Sequence, residues 1–561
     1  MLLNRDRLRE LLLITGLCGF LFFFRLSGIG LLGPDEPRYA QIAREMLQRH
    51  DWVTPYLYGH TWLEKPILLY WAEMLSYTFY GVADWAARVP SAVFATGMVA
   101  GVFITIRRIR HNARLDAALM VASSALVLGF ARAASTDMLL TAPFTVALLC
   151  WFCWYQAEYA ENGEAAAATR HPRVYLALFY IFAALATLAK GPVAPGLAGL
   201  VLIAFCLVER NPKAILRTLD PVGIVLFLAV AAPWFVLVQH RTPEFFRVFF
   251  LQHNLARFGS NLYRHHQPFW YYIPVALAAA LPWTVWLFPA VAEAWRALRR
   301  RLRGENDPGA SCAFEVFLLV WAAVPIVFFS LSHSKLPGYI LPSMPALMVL
   351  AAVGFHRSAE QSQRPHWLAT CFHAALLSSL VAALCLSPKL LFKLPATPQQ
   401  LVIASVAGTF TFLVVALPLL ISGWRMLRFV TLLPLILMVG FVLRGLAPAV
   451  DATQSSRPVA SLMQEIHQPG ELPLATFGVS RNMALGLAFY LDRRVTPYEG
   501  LEVSPAVYEL PAAVPQGEHV LVMREGSMPA LHNLLGERNM LFLGSDRAQH
   551  IEIYQVAARG E

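Results

Sequence analysis

The sequence predicts a polytopic α-helical membrane protein with a small soluble α/β domain at its C-terminal end. Three observations predict it. Of 561 residues, 57% are hydrophobic and only 14% are charged, where a soluble domain carries about 25%. Mean hydropathy is +0.53, and no soluble core buries that much apolar surface. Apolar runs of spanning length alternate with short basic turns as far as Leu446, where turn residues and charge take over.

The runs number about thirteen. They centre on Leu11–Leu32, Val89–Ile106, Ala117–Phe130, Leu139–Trp154, Tyr175–Leu188, Val193–Val208 and Val222–Val238. They continue at Trp270–Phe288, Ala313–Leu331, Tyr339–Phe355, Leu368–Leu386, Leu401–Leu420 and Phe429–Leu446. The first run passes through Phe22, Phe23 and Phe24 without a small-residue cleavage site, so it reads as a retained span. Basic turns lie at Arg107–Arg114, Thr169–Arg173, Glu209–Arg217, Arg296–Arg303, His356–Arg364 and Trp424–Arg428. Lys and Arg concentrate in cytoplasmic loops. With a cytoplasmic N-terminus, these thirteen spans put every one of the turns inside. The net charge of +10 then reports orientation, not a nucleic-acid partner. The same parity puts Asp137, Lys190, Gln239–Gln267, Ser332–Gly338 and the C-terminal region outside.

Two segments of the first external loop read as helices lying along the membrane surface. Pro66–Tyr80 is apolar but only about fifteen residues long, short of the roughly twenty that a span needs. In Pro37–Arg49, Tyr39, Ile42, Ala43, Met46 and Leu47 share one helical face, while Arg38, Gln41, Arg44, Glu45, Gln48 and Arg49 take the other. Residues 1–448 therefore form the membrane domain and 449–561 the external domain. In the latter "PLATFG", "HVLVMRE" and "MLFLGS" read as strands, and "RPVASLMQEIHQ" and "MPALHNLLGE" as helices. The seven cysteines fall mostly in or beside apolar runs and read as small membrane hydrophobes.

Charged residues gather at the external ends of the spans. Asp35 and Glu36 follow the first span directly. An N-cap accounts for one acid more easily than for two. A functional acid facing a surface cavity accounts for the second. Glu64 and Lys65 precede another Pro-started apolar helix. A cation at a helix N-terminus opposes the dipole, and a bound phosphate would relieve it. Asp137, with Arg132 nearby, is a third acid at this level. Arg241–Trp270 carries Arg241, Arg247, Arg257 and Arg264 with His253, His265 and His266, an external basic cluster suited to an anionic lipid headgroup. His265 and His266 with Glu64 make a candidate site for one divalent metal ion, although no i, i+4 spacing supports it. Lys335 and Tyr339 in "SHSKLPGYILP", and Lys190 in "LAKGPVAPG", sit at outer turns that Gly and Pro alone would also explain.

Together "GPDEPRYAQIAREM", "DWVTPYLYGHTWLEKPILLYW", "WAARVPSA", "ARAASTDMLL", "LAKGP", "APWFVLVQHRTPEFFRVFFLQHNLARF", "PFWYYIP" and "SLSHSKLPGYILP" resemble the membrane aminoarabinose transferases. These belong to the GT-C class of polyprenyl-phosphate-sugar-dependent glycosyltransferases, with the protein O-mannosyltransferases as more distant members. The likeness covers roughly Gly33 to Pro342. It implies a GT-C fold and an inverting transfer of 4-amino-4-deoxy-L-arabinose. The donor would be undecaprenyl phosphate and the acceptor a lipid A phosphate. The place would be the periplasmic face of a bacterial inner membrane, and the consequence polymyxin resistance. The family's first-loop acid matches Asp35 and its second external acid Asp137. Its phosphate-binding residues match Arg38 and Lys65, with Tyr39 beside them. Many relatives have two prolines after the Lys, whereas "EKPI" has one.

On this resemblance Lys65, Arg38, Arg257 and Arg264 stabilise the departing lipid phosphate, with Lys335 and Tyr339 closing the chamber. Asp35, Asp137 and Glu64 form the acidic set, orienting groups and stabilising an oxocarbenium-like state. An anionic acceptor needs little deprotonation, so no cofactor is required beyond the candidate metal. The neighbouring alternative is another GT-C transferase with a protein or glycan acceptor. A secondary transporter would place its ionisable groups near mid-membrane within paired repeats. Here they sit at the external ends. A scaffold would leave Asp35, Lys65 and Asp137 without purpose.

Overall fold

The computed structural model describes residues 5–159, 171–249, 267–305, 311–391, 396–466, 472–504, 508–536 and 538–559. Among these, eight helices are long and apolar enough to cross a membrane, or up to ten if two bent pairs each count as one span. The sequence reads as about thirteen, and the difference has local causes. The first helix, α1 (Arg5–Cys18), runs into a π-turn at Gly19–Phe23 and stops there, well short of Leu32. Val193–Val208 forms a helix of only 16 residues. The last two apolar runs lie in one helical stretch of 57 residues, Pro398–Gln454, too long for a single crossing and divided by a short 3₁₀ turn opened by Gly423 at φ +69°. Two further runs bend: His111–Ser123 against Ala125–Ala131 by 63°, and Tyr272–Ala279 against Thr284–Arg303 by 118°. Pro282 lies in the second break, where its missing N–H cannot extend a helical ladder.

The expected short helices of the first loop form as α2 (Asp35–Gln48) and α3 (Leu68–Tyr80). A two-stranded hairpin, β1 (Tyr56–Leu57) and β2 (His60–Thr61), lies between them. At 13 residues α3 is about 20 Å long, too short to span. The polar face of α2 is solvated only at its end, at Gln48 and Arg49. Glu36, Arg38, Gln41 and Glu45 are all buried. The chain continues through α4 (Asp84–Ile109), the bent pair α5 (Arg114–Ser123) and α6 (Ala125–Ala131), α7 (Thr136–Tyr159) and α8 (Pro172–Lys190). The spanning windows of α7 and of Pro337–Gln361 are each 94% buried, against 22–56% for the other long helices. These two are the central helices. Their starts carry Asp137 and Tyr339.

Most of the basic turns meet at one end of the bundle. Several pair across helices there. Arg114 meets Glu10 at 2.7 Å, Arg301 meets Glu209 at 2.5 Å, and His356 meets Asp116 at 2.5 Å. Arg428 shares Asp116, and Arg357 bridges Glu293 and Glu315. Asp35, Asp137, Lys190 and Lys335 lie at the other end.

The last membrane helix runs on past the expected boundary at 448 to Gln454. Beyond it β3 (Leu474–Phe477), β4 (Val495–Pro497), β7 (His519–Arg524), β8 (Met540–Asp546) and β9 (Ile551–Val556) form a mixed sheet in the order β4-β3-β7-β9-β8. The pairs β3–β4 and β3–β7 are parallel, and β7–β9 and β8–β9 antiparallel. β5 (Leu501–Ser504) and β6 (Tyr508–Leu510) make a separate hairpin. Both expected helices form, at Arg457–Glu465 and Met528–Leu535. A third, Arg481–Leu491, packs on α2.

One buried ion pair ties the first loop to the bundle. Arg88 of α4 donates to Glu36 through Nε at 3.0 Å and Nη2 at 2.6 Å. It also donates to the carbonyls of Leu26, Ile29 and Gly30. Glu36 in turn accepts from the backbone N–H groups of Leu32 at 2.7 Å and Ala134 at 2.8 Å. Both side chains are at most 10% exposed. Removing one partner strands the other charge, at about 3–5 kcal/mol. Arg88→Ala is therefore expected to lower stability by about that amount, measured as thermal unfolding of detergent-purified protein. A loss below about 1 kcal/mol would take this role away from the pair.

Candidate active site

The adjacent acids at the start of α2 take different parts. Glu36 is consumed by Arg88. Asp35 keeps 60% of its side chain exposed and accepts from Arg38 Nη2 at 2.5 Å, one helical turn on. Arg38 is only 5% exposed. Its Nη2 lies 3.7 Å from Glu64 Oε2, and its Nη1 donates to the carbonyl of Val503 at 3.0 Å. The guanidinium stands over the rings of Tyr39 and Trp62, 5.3 Å from each centroid. Burial works against its charge, but Glu64 and Asp35 outweigh burial and keep it protonated. The Tyr39 hydroxyl is pushed well above its ordinary pKa by burial and by Asp35, so it stays a neutral phenol. Lys65 follows Glu64 directly and is half-buried at the turn into α3.

The second constellation forms where α7 starts and α8 ends. Asp137 sits in the first turn of α7 and Lys190 in the last turn of α8, each at the helix end whose dipole favours its charge. The two form an ion pair. Ser135 Oγ donates to Asp137 Oδ2 at 2.9 Å and accepts from the Asp137 backbone N–H at 3.1 Å. Lys190 Nζ is 5.4 Å from the centroid of the half-buried Tyr339 ring, which packs on Phe329. The two constellations share one joint. Asp35 is the residue before Glu36, and Asp137 follows three residues after Ala134, whose N–H bonds Glu36.

Other candidates fall elsewhere. Lys335 is 7% exposed, and its amine bonds the carbonyl of Ser332 at 2.6 Å. Arg132 donates to the carbonyls of Leu21, Phe24 and Arg25, closing the end of the first helix. Arg241 pairs with Asp51 at 2.8 Å, and Arg247 lies 3.6 Å from Glu244. His253, Arg257, Arg264, His265 and His266 lie outside the described residues. Of the candidate metal ligands only Glu64 is described, and there Arg38 competes with a cation for the carboxylate. Among the described residues no group of three or more His, Cys, Asp or Glu is placed to hold a metal ion.

Sequence reasoning gave Lys190 no more weight than a turn residue. It also passed over Arg88, although an Arg next to an apolar run signals a partnered charge. The C-terminal domain's part left no signal at all. Besides the Val503 carbonyl on Arg38, the ring of Tyr508 packs against Trp62 at 6.1 Å and His60 at 5.2 Å. Arg44 of α2 donates to the carbonyl of Phe489 at 2.6 Å and pairs with Asp492 at 3.1 Å. Arg457 bridges Asp451 at 2.6 Å and Asp84 at 2.9 Å. The arrangement offers buried cations for phosphate groups beside an exposed carboxylate.

Comparison with known proteins agrees with the resemblance read from the motifs. A family model described as dolichyl-phosphate-mannose-protein mannosyltransferase matches residues 21–249. An undecaprenyl phosphate-α-4-amino-4-deoxy-L-arabinose arabinosyl transferase of Serratia proteamaculans is 34% identical over 59% of this chain and 56% of its own length. One of Aeromonas salmonicida is 32% identical over 66% of this chain and 65% of its own. Both matches thus leave more than a third of the relative unspanned. The crystal structure of ArnT from Cupriavidus metallidurans bound to undecaprenyl phosphate superposes with a TM-score of 0.75 over 97% of both chains, at 24% identity. The chain therefore has the fold of that protein, a helical membrane bundle with a C-terminal domain containing a small β-sheet.

One buried acid stands behind the site. Glu73 of α3 is wholly buried, and neither carboxylate oxygen has a hydrogen-bond partner among the described residues. Burial, then the Glu36 carboxylate, pushes its pKa well above the ordinary value, so it is held as the neutral acid. A folded-state pKa raised above the unfolded one means that the unfolded chain loses its proton first as pH rises. Stability from this group is thus full below the unfolded value and falls from there up to the folded one. Thermal unfolding from pH 5 to pH 8 is expected to show Glu73→Gln losing less stability with rising pH than the parent protein. Parallel curves would show Glu73 ionised in the fold.

Proposed function

We propose that this chain transfers 4-amino-4-deoxy-L-arabinose from undecaprenyl phosphate to a lipid A phosphate at the periplasmic face of the bacterial inner membrane, and so confers polymyxin resistance. The observation that carries this reading is the shared joint at Glu36 and Ala134. It holds Asp35–Arg38–Glu64 and Asp137–Lys190 at one end of the bundle, next to Lys65. Relatives that bear this activity in their names, and the fold shared with a structure holding undecaprenyl phosphate, support it. The self-paired basic turns at the opposite end fit a cytoplasmic side. On this reading the N-terminus is cytoplasmic and the C-terminal domain periplasmic.

The chemistry follows from charge. An acceptor phosphate oxygen attacks the anomeric carbon while the bond from that carbon to the donor phosphate oxygen breaks, inverting the centre. Negative charge grows on the departing lipid phosphate, and Arg38 and Lys65 stabilise it. The buried Arg38 gains from its low-dielectric surroundings. Asp35, the exposed acid of the set, faces the sugar. It pairs with the sugar's ammonium and stabilises positive charge developing at the anomeric carbon. If the acceptor arrives as its monoanion, Asp35 is the base that takes its proton. Asp137 holds Lys190 over Tyr339 as a second cationic post for the other phosphate. With cations of the chain itself facing both phosphates, no metal is needed for this charge balance, and transfer is expected to persist in a chelator such as EDTA.

The test is mass spectrometry of lipid A from a strain lacking its own transferase and carrying this chain. Aminoarabinose is expected with the parent chain and absent with Asp35→Asn or Lys65→Ala, each losing at least about a hundredfold in rate. Arg38→Lys is expected to lose about tenfold or more, because an ammonium cannot span Asp35 and the Val503 carbonyl as the guanidinium fork does. Modification that survives these changes in a correctly inserted protein would remove the site. Sugar appearing on protein instead of lipid A would favour the mannosyltransferase-like alternative, which the match at residues 21–249 keeps in view.

A further inference from the structure

A large apolar groove runs along the outside of the bundle between α4, α7 and α8, away from the site just described. Its volume is about 910 Å³. It follows α4 from Phe94 to Arg108 and α8 from His171 to Leu185, about 21 Å along each helix axis. Small residues make its floor, Gly97, Gly101 and Ala142 among them. A Cβ added at Gly97 would meet no atom within 4 Å, so the groove is open there.

The two ends of the groove differ in chemistry. Toward the candidate active site the lining is Phe94, Phe182 and Leu185. Toward the basic end it carries Arg108 and His171, both exposed. Arg108 stands over the ring of Tyr175 at 5.3 Å. Among the described residues no carboxylate lies within ion-pair distance of it. Arg114, Arg301, Arg357 and Arg428 at the same end meet acids, whereas Arg107 and Arg299, like Arg108, meet none among the described residues, and of these three only Arg108 lines the groove.

We propose that this groove is a binding site for an anionic glycerophospholipid of the leaflet on the basic side, its phosphate on Arg108 and His171 and one acyl chain along the Gly97 floor. Basic pockets between membrane helices on the cytoplasmic side hold anionic headgroups in this way. The ring of Tyr175 gives Arg108 a fixed seat. A polyprenyl phosphate reacting at Arg38 and Lys65 has its charge at the opposite end of the helices, and no cation is among the described residues that line the apolar end of this groove. The assignment rests on the groove alone and stands apart from the transfer reaction.

Native mass spectrometry of the delipidated full chain, titrated with phosphatidylglycerol, phosphatidylcholine and undecaprenyl phosphate, tests it. The parent protein is expected to bind one phosphatidylglycerol at least fivefold more tightly than phosphatidylcholine. Arg108→Glu combined with His171→Ala is expected to weaken phosphatidylglycerol about tenfold or more and leave phosphatidylcholine unchanged. Gly97→Phe fills the groove and is expected to weaken both, while Gly97→Ala keeps both. If Gly97→Phe fails to fold, the charge variant decides. Unchanged phosphatidylglycerol affinity in the charge variant overturns the proposal. So does one-for-one displacement of phosphatidylglycerol by undecaprenyl phosphate, which would assign the groove to the carrier.

Discussion

The ion pair between Arg88 and Glu36 is the constraint on which the functional end of this molecule depends. A charge taken out of water this far is tolerated only when every donor and acceptor is met. Meeting them draws together three pieces of chain that are distant in sequence: residues 26–32 after the first helix, the start of α2, and the loop at Ala134. Each of those pieces carries or adjoins a candidate functional acid. The pair acts by placement. It fixes where Asp35 and Asp137 begin, and it uses up Glu36 so that Asp35 is left facing outward.

The soluble domain is part of the same construction. Its backbone supplies a carbonyl to Arg38, and its Tyr508 backs the Trp62 ring on which that guanidinium lies. Arg44 and Arg457 fasten the domain to α2 and to the start of α4. Most of the polar face of α2, which an isolated interfacial helix would give to water, is therefore buried beneath protein, with Gln48 and Arg49 at its end exposed. Burial makes each surviving charge stronger, because fewer water dipoles oppose it. It also explains why a cation as enclosed as Arg38 keeps its proton: two carboxylates and two aromatic faces replace the water it lost.

The two ends of the helix bundle handle charge in opposite ways. At the basic end, arginines from different helices neutralise acids on their neighbours, and the result is structural. At the other end the cations are set against acids that stay partly open or lie beside a half-buried lysine. Arg108 meets no carboxylate among the described residues, and it borders an apolar groove of about 910 Å³.

Hydropathy alone determined that this is a membrane protein of alternating helices with a small terminal domain, because twenty apolar residues have no other stable home. Local pattern also determined α2, α3, the strands at Leu474, His519 and Met540, and the helices at Arg457 and Met528, since each is set by residues near in sequence. The motifs around Asp35, Lys65 and Asp137 pointed to the transferase class. Only tertiary structure decided which of two adjacent acids is exposed, that Lys190 belongs to Asp137, and that the terminal domain reaches Arg38. It also decided how many apolar runs are straight enough to span, since bends at Ser124 and Pro282 come from packing and backbone breaks that composition does not register. These are questions of which groups meet across hundreds of residues, and a charge's partner, unlike a helix's period, is not written beside it in the chain.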